Sequence, residues 1–382
     1  MTTARAYCDW NATAPISPDV AAAVAAALSL GNPSSIHHEG RAARAAVDAA
    51  RAEVAMLAGV SASQIVFTSG GTEAASTALQ PVHADAVLFA GAAEHACVRA
   101  GGGYAPARRQ SVPVDSAGRV TPEALEAAVS ASGISAGLVH VAVQAANNET
   151  GVLTPLDTFE LCRARGWRLT IDAVQAAGRV DLAPYAALAD ELLISGHKIG
   201  APKGVGALIL RSDGCASPRP LIRGGGQERG HRAGTENVAG IVGFGMAARQ
   251  ALAGLAGYDS VTSLRDRFER RLQQIAPDVT IFAAEEARIG NTSLFAVEGL
   301  KAQTALIAFD LDQIAVSSGS ACSSGKVASS HVLAAMGVRA DRAVCAIRAS
   351  FGPTSVDADV DRLLDSLERQ LARLRTRRQS AA

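Results

Sequence analysis

Ile65-Val66-Phe67-Thr68-Ser69-Gly70-Gly71-Thr72-Glu73 passes from a continuous apolar run, through a glycine turn, into a helix-forming stretch that starts at Ala74. An apolar run that can be covered on both faces, followed by a helix, is the building unit of an α/β sheet. The turn also leaves backbone N–H groups unpaired at the positive end of a helix dipole. With the Thr72 hydroxyl beside them, they can hold an anion such as a phosphate. Glycine-rich strand-to-helix turns also serve structure alone, and both readings stay open on these residues. No P-loop is present, because G-x-x-x-x-G-K-S/T follows no strand. Gly325-Lys326 comes nearest and is followed by Val327, which has no hydroxyl for a metal.

Working outward, residues 65–68, 86–90, 138–143, 168–171, 191–194 and 206–210 are predicted strands, mostly unbroken apolar runs. Helices are predicted at 41–58 and 122–130, the second opened by Thr121-Pro122-Glu123, a cap residue followed by proline at the first helical position. Residues 224–234, rich in Gly and Arg, read as an exposed loop, and 238–255 as a long helix leading out of this unit. From about Tyr258 onward, helix, strand, helix, strand and a charged terminal helix suggest a smaller α+β unit. The fold class is therefore α/β, with a large, mostly parallel central sheet and a smaller α+β domain.

The chain has 382 residues, 48% of them hydrophobic, enough for a sizeable core. Lys plus Arg and Asp plus Glu both number 36, which argues against a nucleic-acid or anionic-membrane surface. Arg373, Arg375, Arg377 and Arg378 close the terminal helix, where cations offset its dipole. Residues 1–11 lack a basic region followed by an apolar run, so no secretory leader is expected, and residues 20–30 are too short to span a bilayer. Six cysteines, at 8, 97, 162, 215, 322 and 345, form no C-x-x-C pair. That scatter suits a reducing cytoplasm and individual thiols.

Two further elements carry chemistry. In Leu169-Thr170-Ile171-Asp172-Ala173-Val174-Gln175, a carboxylate stands at the carboxyl end of a buried strand, where open α/β sheets bind ligands. There it either caps the next helix or pairs with a cationic group such as a protonated pyridine nitrogen. In Ile194-Ser195-Gly196-His197-Lys198, a lysine follows a buried strand. Taken singly it is an exposed lysine; flanked by Ser and His, it could form a Schiff base while its neighbours reach a phosphate.

Together these elements resemble the cysteine desulfurases, the NifS/IscS branch of the class V aminotransferase family. The resemblance spans nearly the whole chain. It is carried by Cys8-Asp9-Trp10-Asn11-Ala12-Thr13-Ala14-Pro15, Gly31-Asn32-Pro33-Ser34-Ser35, Glu94-His95, Asn147-Asn148-Glu149-Thr150-Gly151, Gly224-Gly225-Gly226-Gln227-Glu228-Arg229-Gly230, Arg232-Ala233-Gly234-Thr235, Ser317-Ser318-Gly319-Ser320-Ala321-Cys322 and Ile347-Arg348-Ala349-Ser350, with the three stretches above.

The resemblance implies the type I fold of pyridoxal-phosphate (PLP) transferases. Residues 15–257 would form the large PLP-binding domain, and 1–14 with 258–382 the small domain that carries the Cys322 loop. It implies Lys198 as the Schiff-base lysine, Asp172 on the pyridinium nitrogen and Gln175 on the phenolic oxygen. Gly71, Thr72, Ser195 and His197 would hold the phosphate, and Thr235 would reach the phosphate of a neighbouring subunit in a homodimer. His95 would stack on the ring and move protons. Asn148 and Arg348 would bind the substrate carboxylate and the cofactor edge, the planar guanidinium giving a bidentate grip.

Cys322, in a small polar stretch suited to a mobile loop, would take sulfur from L-cysteine as a persulfide and leave L-alanine. It would pass that sulfur to an iron–sulfur scaffold or another acceptor, and is the one candidate for a transient iron–sulfur ligand; no resident metal is expected. Cys162 and Cys345 read as packing residues, and Cys215 as a turn residue. Departures include Cys8, Trp10, Gly71 and Ala145-Ala146, none at a position whose side chain is assigned a chemical role. The rival readings are a selenocysteine lyase or another class V aminotransferase, which needs no such thiol, and a non-catalytic scaffold, against which Lys198, His95, Asp172, Cys322 and Arg348 together speak.

Overall fold

The computed structural model describes residues 5–211, 218–319 and 330–381; Cys215 and Cys322 lie outside them. After a two-residue strand β1 (Ala6–Tyr7), the chain builds β2 (Ile65–Thr68), β3 (Val87–Gly91), β4 (Arg109–Val112), β5 (Val139–Gln144), β6 (Arg168–Asp172), β7 (Glu191–Ser195) and β8 (Gly206–Leu210). The last seven form one sheet in the order β2-β8-β7-β6-β5-β3-β4. Strands β3 to β7 pair in parallel, and β8 runs antiparallel between β2 and β7. Every residue of β2, β5, β7 and β8 is buried, which is why their sequences are mostly apolar, with polar residues such as His140 and Glu191 held by buried partners.

The six strands expected from sequence are present, each within a residue of its expected limits. The seventh, β4, was not expected. Its sequence Arg-Gln-Ser-Val is largely exposed at the sheet edge, so it carries no apolar run.

Helices cover the sheet. His38–Ala58 contains the expected 41–58 and stops at Gly59, whose φ of 68° suits glycine. Pro122–Ser132 is capped by the Thr121 side chain, as its sequence indicates. Val238–Gly254, with its extension to Gly257, is long and apolar enough to cross a membrane by length and composition. It instead lies against Pro18–Ala27 and His38–Ala58. Gly245 permits that approach, since a Cβ there would stand 2.6 Å from the Cα of Ala50.

The C-terminal part adds β9 (Thr280–Ile281), β10 (Thr292–Ala296), β11 (Ile314–Ala315), β12 (Ser317–Ser318) and β13 (Ala346–Ser350). An antiparallel sheet runs β12-β13-β10-β9, while β1 pairs in parallel with β11. Phe268 packs on Phe295 and Phe351 beneath it, with centroids 5.5 and 5.8 Å away. The terminal helix Asp357–Ala381 buries Val360, Leu363, Leu364, Leu367 and Leu371, a helical stripe. The N-terminal segment belongs to this packing, for Trp10 donates its N–H to the Ser350 carbonyl.

Candidate active site

Gln144, Asp172 and Ser195 end the neighbouring strands β5, β6 and β7, at the carboxyl edge where a parallel sheet collects ligands. A cavity of about 330 Å³ opens over that edge. It brings together Gly71, Thr72, His95, Asn148, Asp172, Gln175, Ser195, His197, Lys198 and Arg348. Thr235 is exposed and does not line it, and Cys322 lies outside the described residues.

Local structure sets each side chain. Gly71 opens the helix Gly71–Ala78, and Lys198 closes the tight turn Gly196–Lys198 after β7. A Cβ on Gly71 would meet Val174 Cγ2 at 3.1 Å and Ser195 Cβ at 3.3 Å, so glycine keeps this corner open. His95 caps the short helix Ala96–Arg99; its Nδ1 accepts from the Cys97 N–H at 3.3 Å and stands 3.0 Å from Cys97 Sγ. Arg348 arrives from β13 and is 2% exposed, so it is a buried cation rather than a residue reaching for solvent. It donates to Asp9 Oδ1 and to the Asn148 carbonyl, both at 2.8 Å.

Lys198 Nζ donates to the carbonyls of Asn11 at 2.7 Å and Ala12 at 2.9 Å. Burial pushes the Asp172 carboxyl up from its usual range, while the Val174 N–H, His95 and Lys198 pull it back. Burial likewise raises Glu94 well above a normal carboxyl, with Asp172 adding to the effect. His197 is pushed down to about 4 by burial and by Lys198 and Lys203, so its ring is neutral at pH 7. Burial raises Glu149 to about 7; its Oε2 accepts from Ser330 Oγ at 2.5 Å, and a Cβ on Gly319 would sit 2.4 Å from the same oxygen. The described ends of the Cys322-bearing segment thus converge on the residue next to Asn148.

These groups fit pyridoxal phosphate. Asp172 receives, among the described residues, a hydrogen bond only from the Val174 N–H, so its carboxylate can take a pyridinium proton. Gln175 Oε1 and Asn148 Oδ1 are buried without a partner, which a polar cofactor edge would supply. The unpaired N–H groups at Gly71 and Thr72, with the Ser195 hydroxyl and the neutral His197 ring, suit a phosphate.

Some contributors were not singled out from sequence. Asn11 joins the parts of the site: its carbonyl accepts from Lys198 and Gln175, and its side chain donates to Thr292. Asp9 orients Arg348, Glu94 accepts from the Gln144 N–H, and Cys97 lines the cavity. Asn11, Asp9 and Glu94 stand inside quoted motifs, so a signal existed; Cys97 had none.

Fold and site together define a PLP-binding α/β enzyme whose cavity holds its lysine and a buried arginine. The chain belongs to the aminotransferase class-V family, whose model matches residues 6–363. Enzymes of that family depend on PLP, and so does this one. A cysteine desulfurase of Cereibacter sphaeroides is 40% identical, with 95% of each chain aligned. Cysteine desulfurase IscS of Dictyoglomus turgidum is 36% identical over 97% of this chain and 95% of its own. Among solved structures, a NifS-like protein from Rickettsia africae superposes with a TM-score of 0.87 at 34% identity, covering 96% of this chain and 99% of that one.

Proposed function

We propose that the protein is a cysteine desulfurase, converting L-cysteine to L-alanine and retaining the sulfur as a persulfide on Cys322. The observation that carries this reading is one cavity holding Lys198, Asp172 and Arg348 together, in a chain aligned end to end with enzymes of that name.

Each residue's part follows from its placement. Arg348, fixed by Asp9, presents a buried Nε–H without a partner, which supports its role as the grip on the substrate carboxylate. Asn148 completes that grip by donating its side-chain N–H, and its unpartnered Oδ1 is left as an acceptor. Lys198 and His95, on the walls of the same cavity, are assigned the proton transfers at the substrate carbon. Bound on Asp172 and Lys198, PLP supplies an electron sink. The Cys322 thiolate forms a bond to the substrate sulfur as the carbon–sulfur bond breaks, and the carbon takes up protons to leave as alanine.

The finer reading is that the sulfur goes to an iron–sulfur scaffold or another acceptor, supported by the IscS name of a relative. We place the enzyme in the cytoplasm, as its free described cysteines suggest. We take it as a homodimer whose Thr235 serves the partner's phosphate, since Thr235 is exposed on its own chain. Residues 15–257 are assigned to the PLP-binding domain, and 1–14 with 258–382 to the small domain, in keeping with the separate hydrophobic clusters around Phe244 and around Phe268. The test is alanine and sulfide release from L-cysteine by the purified holoprotein with excess dithiothreitol, which reduces the Cys322 persulfide and frees its outer sulfur as sulfide. Equal yields are expected, and absence of alanine would overturn the reading.

A further inference from the structure

A second cavity, of about 380 Å³, shares Lys198 with the first. Its walls come from three places: Trp10 and Pro15 in the N-terminal segment, Arg179 after β6, and Tyr258 with Phe351 at the junction to the C-terminal sheet.

Arg179 marks the cavity chemically. It is only 7% exposed. Its guanidinium donates to the Gln175 carbonyl at 2.7 Å and to the Lys198 carbonyl at 3.5 Å, and it bonds the Tyr258 side chain. All three partners are neutral, because burial pushes the Tyr258 phenol up. Among the described residues no carboxylate pairs with it, and its charged neighbour is another cation, Arg348. Other buried arginines are compensated: Arg51 by Glu228, Arg288 by Glu269, Arg348 by Asp9. A buried cation without a counter-ion is costly, so an anion from outside the chain would be strongly favoured there.

We propose that this cavity binds a small aryl carboxylate, its carboxylate on Arg179 and its ring among Trp10, Tyr258 and Phe351. The volume lies in the range of small-molecule sites, and the walls combine apolar surface with two cations, Arg179 and the Lys198 shared with the first cavity. Because Arg179 holds the backbone carbonyls of Gln175 and Lys198, the site is coupled to the cofactor cavity and acts as a regulatory one.

The test is calorimetric titration of the holoprotein with benzoate and with neutral benzamide, in a Trp167→Phe background where Trp10 is the remaining tryptophan. Saturable benzoate binding with a shift in Trp10 emission is expected, with benzamide weaker by about tenfold or more, the loss of a charge-assisted contact. Arg179→Gln should weaken benzoate by a similar factor, while Arg348→Gln should retain it. Gly254 also lines the cavity; its φ is −76° and a Cβ there meets nothing within 4 Å. Gly254→Leu should therefore block binding without straining the fold, which keeps the test decisive if Arg179→Gln fails to fold. Equal binding of benzamide, no saturable binding, or loss in Arg348→Gln alone would overturn the proposal.

Discussion

Lys198 and Lys203 stand five positions apart at the end of β7, and geometry separates them. Lys198 lines the cavity, whereas Lys203 does not. Borohydride should fix PLP on Lys198, and peptide mapping that found the label on Lys203 would contradict the assignment. Cys322→Ala should keep PLP and still bind L-cysteine, since Lys198, Asp172 and Arg348 are untouched, yet lose alanine and persulfide production almost entirely. Wild-type alanine rates in that variant would remove the thiol from the mechanism. Running L-selenocysteine beside L-cysteine on the same variant separates a desulfurase from a selenocysteine lyase.

His197 gives a pH dependence. Its folded pKa of about 4 lies below the usual histidine value near 6.5, so the unfolded chain takes the proton first on acidification. Its contribution to stability is complete above about pH 6.5 and is lost as pH falls toward 4. Denaturant midpoints of the protein and of His197→Asn should diverge above that window and converge below it. The placement of Asp172 and Lys198 in one cavity was legible in sequence because each stands at the end of an apolar strand inside a quoted motif. Cys97 was not, because a thiol two positions past a histidine acquires meaning only when the short helix at Ala96–Arg99 turns it back toward that ring.

Among the connecting elements, the segment 224–234 behaves differently from its composition. Glycine and arginine marked it as an exposed loop, and Gly224, Gly225 and Gly226 are exposed. Glu228 inside it is buried, taking a bidentate grip from Arg51 at 2.7 Å and the Phe67 N–H at 2.9 Å. Glu228 and Arg229 adopt φ of 46° and 56°, a strained pair that this pairing holds in place. Glu228→Gln strands the Arg51 cation and should cost about 3 kcal/mol in urea unfolding. Adding Arg51→Met should restore much of that loss; no recovery would show that the pair is not what anchors the loop. A pairing between a helix and a loop 177 positions away leaves no local pattern to read. The same holds for β4, whose hydrogen bonds to β3 define it more than its polar sequence does.

For the whole molecule, the large sheet followed by a smaller C-terminal unit was legible because the pattern of strands and helices changes near Tyr258. The pairing of β1 with β11 was not, since two residues carry no periodicity. If Thr235 completes a neighbouring site, mixing inactive Lys198→Ala protein with an inactive Thr235→Ala variant should regenerate one competent site per heterodimer, about a quarter of the wild-type activity for random exchange of two subunits. Full activity from a monomer in sedimentation would exclude a shared site.

The tie between Asn11 and Ser350, 339 positions apart, bears on how the protein is born. On a ribosome adding about 5–20 residues each second, the N-terminal segment waits tens of seconds for its partner strand to be synthesised. Until β13 emerges, Arg348 has not reached Asp9 and the carbonyl of Asn11 is not yet held for Lys198. A truncated nascent chain would therefore carry the lysine in an unfinished cleft, and activity would arise late, with the last strand, and not with the domain that surrounds the cofactor.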